Sequence, residues 1–181
     1  MHDCRVVDLQ NRLPVAHMNT WRIAAVVTLV AAGWAPAGLA DAPETLPTLE
    51  ACFLSDSQHH TVVLEVASKD KQRQRGLMNR TTLPEDAGML FTYQAERSAN
   101  HGFWMYQTLI PLDIAYLDQQ GVIVSIRTMT PCPPSEGRNC PTYPSGEPFW
   151  NAVEMNEGYF AARNITPGDQ LLWPAAEACQ P

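Results

Sequence analysis

Residues 102–118 read GFWMYQTLIPLDIAYLD, and this stretch decides the fold. Three apolar residues, Phe103, Trp104 and Met105, run into a short turn that ends at Pro111. A strand-like run follows at 112–117, with one carboxylate, Asp113, among apolar neighbours. A charge in that setting needs a dedicated partner, because an unpaired buried carboxylate is too costly to keep. Working outward, 112–117 and 122–129 form a hairpin through Asp118-Gln119-Gln120-Gly121. A turn centred on Gln119-Gln120 pairs Leu117 with Val122 and sets Asp113 opposite Ile126. Side chains alternate faces along a strand. Asp113 then shares a face with Ala115, Leu117, Val122, Val124 and Ile126, and the other face carries Leu112, Ile114, Tyr116, Ile123 and Arg127. Both faces are largely apolar, so both are expected to be covered.

The flanking sequence extends this pattern. The β-branched run at 61–67, TVVLEVA, reads as a strand. Ser68 is placed to cap a short charged helix, 69–75, that ends at Gly76. Strands are expected at 88–93, 102–106, 149–155 and 170–173, with one or two helical turns at 158–163 and a turn at Pro167-Gly168-Asp169. Residues 130–148 are Pro-rich and contain Cys132 and Cys140, so no regular element is expected there. The fold class is α+β and predominantly β: a small barrel-like or strongly curved sheet with short helices and a long disulfide-closed loop.

A length of 181 residues suits one domain. Met18 offers a second start, followed by Arg22, an apolar run at 23–33, Pro36, and the small residues Gly38 and Ala40. This order reads as a secretory signal peptide at 18–40, with 1–17 an over-extended start. Residues 41–50 read as a flexible lead-in and 51–181 as the β-rich domain. After cleavage no stable membrane span is expected, and the protein would be periplasmic or secreted. From residue 41 onward the chain has 9 Lys/Arg and 17 Asp/Glu, a net charge of −8. Such a balance disfavours nucleic acid and anionic membrane as partners.

Four cysteines follow the expected cleavage point, Cys52, Cys132, Cys140 and Cys179. An even number in an exported chain points to two disulfides. Three pairings exist, and the favoured one joins Cys132 to Cys140 and Cys52 to Cys179. The loop-entropy model gives about 2.5 kcal/mol for the short ring and about 5 kcal/mol for the long one, as upper values. No CxxC pair is present, so a four-thiolate metal site is disfavoured.

Several fragments together carry a family resemblance: Arg75-Gly76-Leu77-Met78 with Arg80; Leu83-Pro84; Gly88-Met89-Leu90-Phe91; Phe103-Trp104-Met105; Thr108 with Pro111-Leu112-Asp113; Met129-Thr130-Pro131; then Cys140, Tyr143, Glu154 and Gly168-Asp169. The chain resembles the bacterial and archaeal family called domain of unknown function 192. The resemblance implies a compact β-rich fold and, in many members, export or membrane attachment. It brings no agreed catalytic residues. At Tyr106-Gln107 the chain departs from the Lys-Asn pair that the family pattern carries.

Asp113 is the sharpest candidate, since desolvation on an apolar face raises a carboxyl pKa toward general acid–base use. Its structural alternative is a carboxylate that ties the loop before Pro111 or pairs with Arg80. Glu154 shares a face of its strand with Trp150 and Ala152, and Asp113 and Glu154 together could flank a cleft as in glycoside hydrolysis. His101, in a loop, could add an acid–base group. Five methionines (Met78, Met89, Met105, Met129 and Met155) raise copper handling, although none has MxM or MxxM spacing. Trp104, Tyr106, Trp150 and Tyr159 could line a groove. No nucleophile elbow, P-loop, dinucleotide fingerprint or HExxH is present. The favoured reading is an exported cell-envelope domain that binds a small molecule, glycan or peptide. Its site is expected to join Arg80, Trp104, Asp113, Tyr143 and Glu154, with no cofactor or metal implied. An acid–base hydrolase using Asp113 and Glu154, with His101, is the alternative, and copper handling comes third.

Overall fold

The computed structural model describes residues 45–55, 58–175 and 179. The expected start extension and signal peptide, 1–40, lie outside the described residues. Among the described residues nine strands form: β1 (Thr48–Ser55), β2 (Gln58–Ala67), β3 (Ala87–Arg97), β4 (Gly102–Trp104), β5 (Leu112–Leu117), β6 (Ile123–Met129), β7 (Thr142–Pro144), β8 (Phe149–Asn156) and β9 (Gln170–Leu172). Two short helices, α1 (Asp70–Arg75) and α2 (Tyr159–Ala162), accompany them. No helix among the described residues is long and apolar enough to cross a membrane.

Seven strands make one sheet in the order β6-β5-β8-β3-β2-β1-β9, and β4 with β7 makes a separate two-stranded ribbon. The large sheet curls into a half-barrel. Its two edges are stitched where Val122 bridges Gln170. There the Ile123 N–H donates to Asp169 O at 2.8 Å and the Leu171 N–H to Gly121 O at 2.9 Å. Most neighbours are antiparallel, but β2 and β3 run parallel. A parallel pair needs a crossover, and α1 lies on it. Lys69 rather than Ser68 is the N-cap of α1. The Gln72 side chain accepts from the Ser68 and Lys69 N–H groups, which removes the need for a hydroxyl cap.

Two clusters fill the two faces. The inner one packs Phe53, Leu64, Leu90, Leu117, Val153 and Met155 against Tyr159 and Phe160 of α2. The outer one packs Met89, Phe91, Ile114, Tyr116 and Phe149 under Leu77, Met105, Ile110 and Cys132. Every residue of β5 is buried, as expected for a strand covered on both sides.

The hairpin register differs from the sequence expectation. Asp113 faces Thr128, not Ile126, and Leu117 faces Ile123, not Val122, with an irregularity between Tyr116 and Leu117. The cause is the turn: the Asp118 carboxylate accepts from the N–H groups of Gln120 and Val122, both at 2.8 Å. That holds Val122 inside the turn, and the irregularity swaps faces beyond it. Ile123 therefore joins the inner cluster while Val124 packs on the outer one.

Three other expectations need correction. The lead-in 41–50 overlaps β1, which begins at Thr48. The Pro-rich loop holds a 3-10 turn, Pro134–Glu136, and the strand β7. The 3-10 turn lies inside the ring closed by Cys132–Cys140, and β7, just after that ring, forms by pairing with β4. Strand 102–106 is cut short at Trp104. The two disulfides are Cys52–Cys179 and Cys132–Cys140.

Gly121 marks the seam. Its φ is +84°, and a Cβ there would stand 2.3 Å from Leu171 O. Gly137, at φ +62°, has open space around it. Gly121→Ala should therefore cost about 2–4 kcal/mol, strain plus overpacking. Gly137→Ala should cost only about 1–2 kcal/mol. Urea unfolding midpoints of the two variants check the difference.

Candidate functional site

The register separates the two expected carboxylates. Asp113 lies beside Met155 and Glu154 beside Ile114. Met155 belongs to the inner cluster and Ile114 to the outer one. Paired residues share a face and successive residues do not. Asp113 and Glu154 thus sit on opposite faces of the sheet, and no single cleft can hold both.

Asp113 is 3% exposed. Its Oδ1 accepts from the Thr128 hydroxyl at 2.8 Å and its Oδ2 from the Gly158 N–H at 2.8 Å. Gly158 opens α2, whose aromatic residues plug the inner core. The partners are thus a hydroxyl and a backbone N–H, not Arg80. Arg80 instead forms a bidentate pair with Glu65, at 2.5 and 2.7 Å. Tyr143 is occupied too: its hydroxyl accepts from the Thr130 N–H at 2.9 Å. The proposed grouping of Arg80, Asp113 and Tyr143 with Glu154 therefore does not assemble.

Glu154 and Trp104 do meet, and His101 joins them. All three line a pocket of about 580 Å³ on the outer face. The floor comes from β8 and β3 through Glu154 and Phe91. One wall is the end of α1 and its continuation through Met78, and the other is the ribbon strand β4 with Tyr106 and Thr108. Arg73, Arg75, Arg97 and Arg138 also line it. Sequence reading did not gather these arginines, because α1, the end of β3 and the disulfide ring that carry them lie far apart in the chain. Arg97 belongs to the end of β3, which runs past the expected stop at Tyr93, and Arg138 sits inside the Cys132–Cys140 ring.

Glu154 is 6% exposed and burial pushes its pKa up to about 8. It has no hydrogen-bond or ion-pair partner among the described residues. It is therefore a neutral acid at pH 7, with a proton to donate. His101 is held the other way, its pKa lowered by burial and by Arg97. The Arg97 guanidinium donates to His101 Nδ1 at 3.2 Å, which leaves the ring proton on Nε2. Tyr93 stands between Arg73 and Arg97, whose guanidinium carbons lie 4.8 and 5.2 Å from its ring centre. Burial, outweighing these cations, pushes its hydroxyl pKa up to about 12.

Tyr106 stacks on Trp104 with ring centres 4.8 Å apart and planes at 21°. Gln107 has φ +56°, a left-handed conformation that suits Asn better than Gln. Of the other named candidates, Tyr159 packs in the inner core; Met155 is inside, Met89, Met105 and Met129 are outside and Met78 lines the pocket, so the five methionines do not share one face.

The family model described as "DUF192: Uncharacterized ACR" matches residues 52–173, and the chain belongs to this family. No curated protein matches it. Solved structures are similar to it, among them the following two. One, from Sinorhizobium meliloti 1021, is provisionally described as a transcription regulator; it is 27% identical, with a TM-score of 0.65, covering 72% of this chain and 97% of that one. The other, from Novosphingobium aromaticivorans DSM 12444, is a protein of unknown function; it is 28% identical, with a TM-score of 0.63, covering 71% and 86%.

Two outcomes follow. Asp113→Ala orphans the Gly158 N–H and should cost about 2–4 kcal/mol. Asp113→Asn should cost about half as much, because its amide can serve both partners. Chemical denaturation distinguishes them. Glu154 sets a pH slope: its pKa rises from 4.5 unfolded to about 8 folded. The stability it confers is full below the unfolded value and lost as pH rises through the folded one, roughly 4–5 kcal/mol in all. Glu154→Gln should therefore gain on wild type by about 1 kcal/mol per pH unit between pH 5.5 and 7.5. Paired melts across that range check it.

Proposed function

We propose that this chain is an exported cell-envelope domain whose outer-face pocket binds a small molecule, with Glu154 donating a hydrogen bond from the floor. The unpartnered Glu154 carries this reading. Glu154 lines the pocket and makes no bond within the described residues, so its carboxyl is available to a molecule in that pocket. A neutral carboxyl at the base of a concave, aromatic-walled pocket suits an acceptor on a ligand. Of the fragments that carry the family resemblance, residues 75–78, Phe91, Phe103, Trp104, Thr108 and Glu154 converge on this pocket. Trp104, 44% exposed, offers a ring that water covers poorly.

Export is supported by the two disulfides, which persist in oxidising compartments, and by the signal-like order at 18–40. The regulator description of the Sinorhizobium protein does not carry over easily. DNA binding rests on neutralising phosphates, and this chain is acidic.

A thermal-shift screen of the full chain against sugars, amino acids, aromatic compounds and short peptides tests the proposal. A ligand at about a hundred times its Kd should stabilise the fold by about 2.7 kcal/mol, several degrees in Tm. Glu154→Leu and Trp104→Ala should abolish the shift. If no compound shifts the wild type, or the two substitutions leave every shift intact, the pocket is not a binding site. The raised pKa of Glu154 and the lowered one of His101, both lining this pocket, support a second reading, an acid–base enzyme. Turnover of a bound compound that Glu154→Gln stops without stopping binding would establish it.

A further inference from the structure

We infer that the ligand is a ring-bearing organic oxyanion, a carboxylate or phosphate held by arginines at the pocket mouth with its ring against Trp104 and Tyr106. This deepens the proposed function and rests on it.

The charge distribution points there. From residue 41 onward the chain has nine Lys/Arg, and four of them, Arg73, Arg75, Arg97 and Arg138, line this one pocket. Acidic residues cancel only one of them. Asp70 is taken by Arg73. Glu154 is uncharged at neutral pH. Arg75, Arg97 and Arg138 have no ion-pair partner among the described residues. An overall acidic molecule thus gathers three unpaired arginines around one concavity, where low-dielectric walls focus the field.

Arg97 makes the case specific. It is half-buried, and its Nε–H is buried with no partner among the described residues. Its guanidinium lies over Tyr93 and makes one hydrogen bond, to a neutral histidine. A fork of N–H donors left without an acceptor in a pocket wall matches the geometry of a carboxylate or phosphate. Arg138 approaches from the opposite loop, fixed there by the Cys132–Cys140 ring.

The ring requirement comes from the rim. Trp104 and Tyr106 stack as a near-parallel pair beside the arginines, with Trp104 44% exposed. Such a platform takes the face of a sugar or an aromatic ring. An anion alone would leave it uncovered.

The test is calorimetric titration of the full chain with matched pairs: phenylacetate against phenylacetamide, phenyl phosphate against phenol, and glucuronate or glucose 6-phosphate against methyl glucoside, with inorganic phosphate as the ringless anion. At least one ring-bearing anion should bind ten times or more tightly than its neutral partner and than phosphate. Carboxylate and phosphate arms identify which oxyanion is preferred. Arg97→Gln and, independently, the exposed Arg138→Gln should each weaken that binding about tenfold. Arg163→Gln, outside the pocket, should not. Neutral partners binding as tightly as their anions, with sensitivity to Trp104→Ala, would overturn this inference and leave the pocket reading standing. Inorganic phosphate matching the best anion would remove the ring requirement and overturn it as well. No binding by any of these probes or by the broader screen would end both.

Discussion

Everything in this molecule depends on the seam that joins the first residues of β6 to β9. Once Gly121, Val122 and Ile123 bond to residues 169–171, the sheet must curl, and its inner face closes around one compact cluster. The central strands β5, β8 and β3 then have a second face with no interior to enter. That face is as apolar as the first, so loops have to cover it. The connection after α1, the β4–β7 ribbon and the disulfide ring do so. They meet incompletely, and the gap is the pocket.

The pocket's chemistry follows from this construction. Glu154 stands on a central strand, where a charge would be surrounded by hydrocarbon, and burial holds it protonated. The arginines stand on α1, at the far end of β3 and in the disulfide ring, at the edge of the pocket. A neutral donor inside and cations outside form a graded site, which suits a ligand with a neutral inner end and an anionic outer one. The disulfide loop fixes part of that edge, because Arg138 lies within its ring.

Much of the fold was legible. Alternation and β-branching located β5, β6, β8 and most of β2 and β3, and the doubly apolar hairpin required cover on both sides. Cysteine number and position suggested the two bridges that form. What escaped was β1, hidden because its apolar residues follow a Pro-rich approach, and β7, whose strand character comes from pairing with Gly102, where a Cβ would collide with residues 142–144. The hairpin register escaped because one carboxylate, Asp118, bonds into its own turn and holds back a residue.

For the site, the sequence by itself determined that Asp113 must be partnered and that Glu154 and Trp104 were worth naming. Those conclusions need only local periodicity and the cost of burying charge. It could not determine that Asp113 and Glu154 face opposite ways, since that depends on pairing across three strands. Nor could it gather Arg73, Arg97 and Arg138, which no spacing links. Periodicity acts along the chain over a few residues, whereas sheet curvature and loop cover bring together residues scores of positions apart. Only the tertiary structure sets which of them share a face.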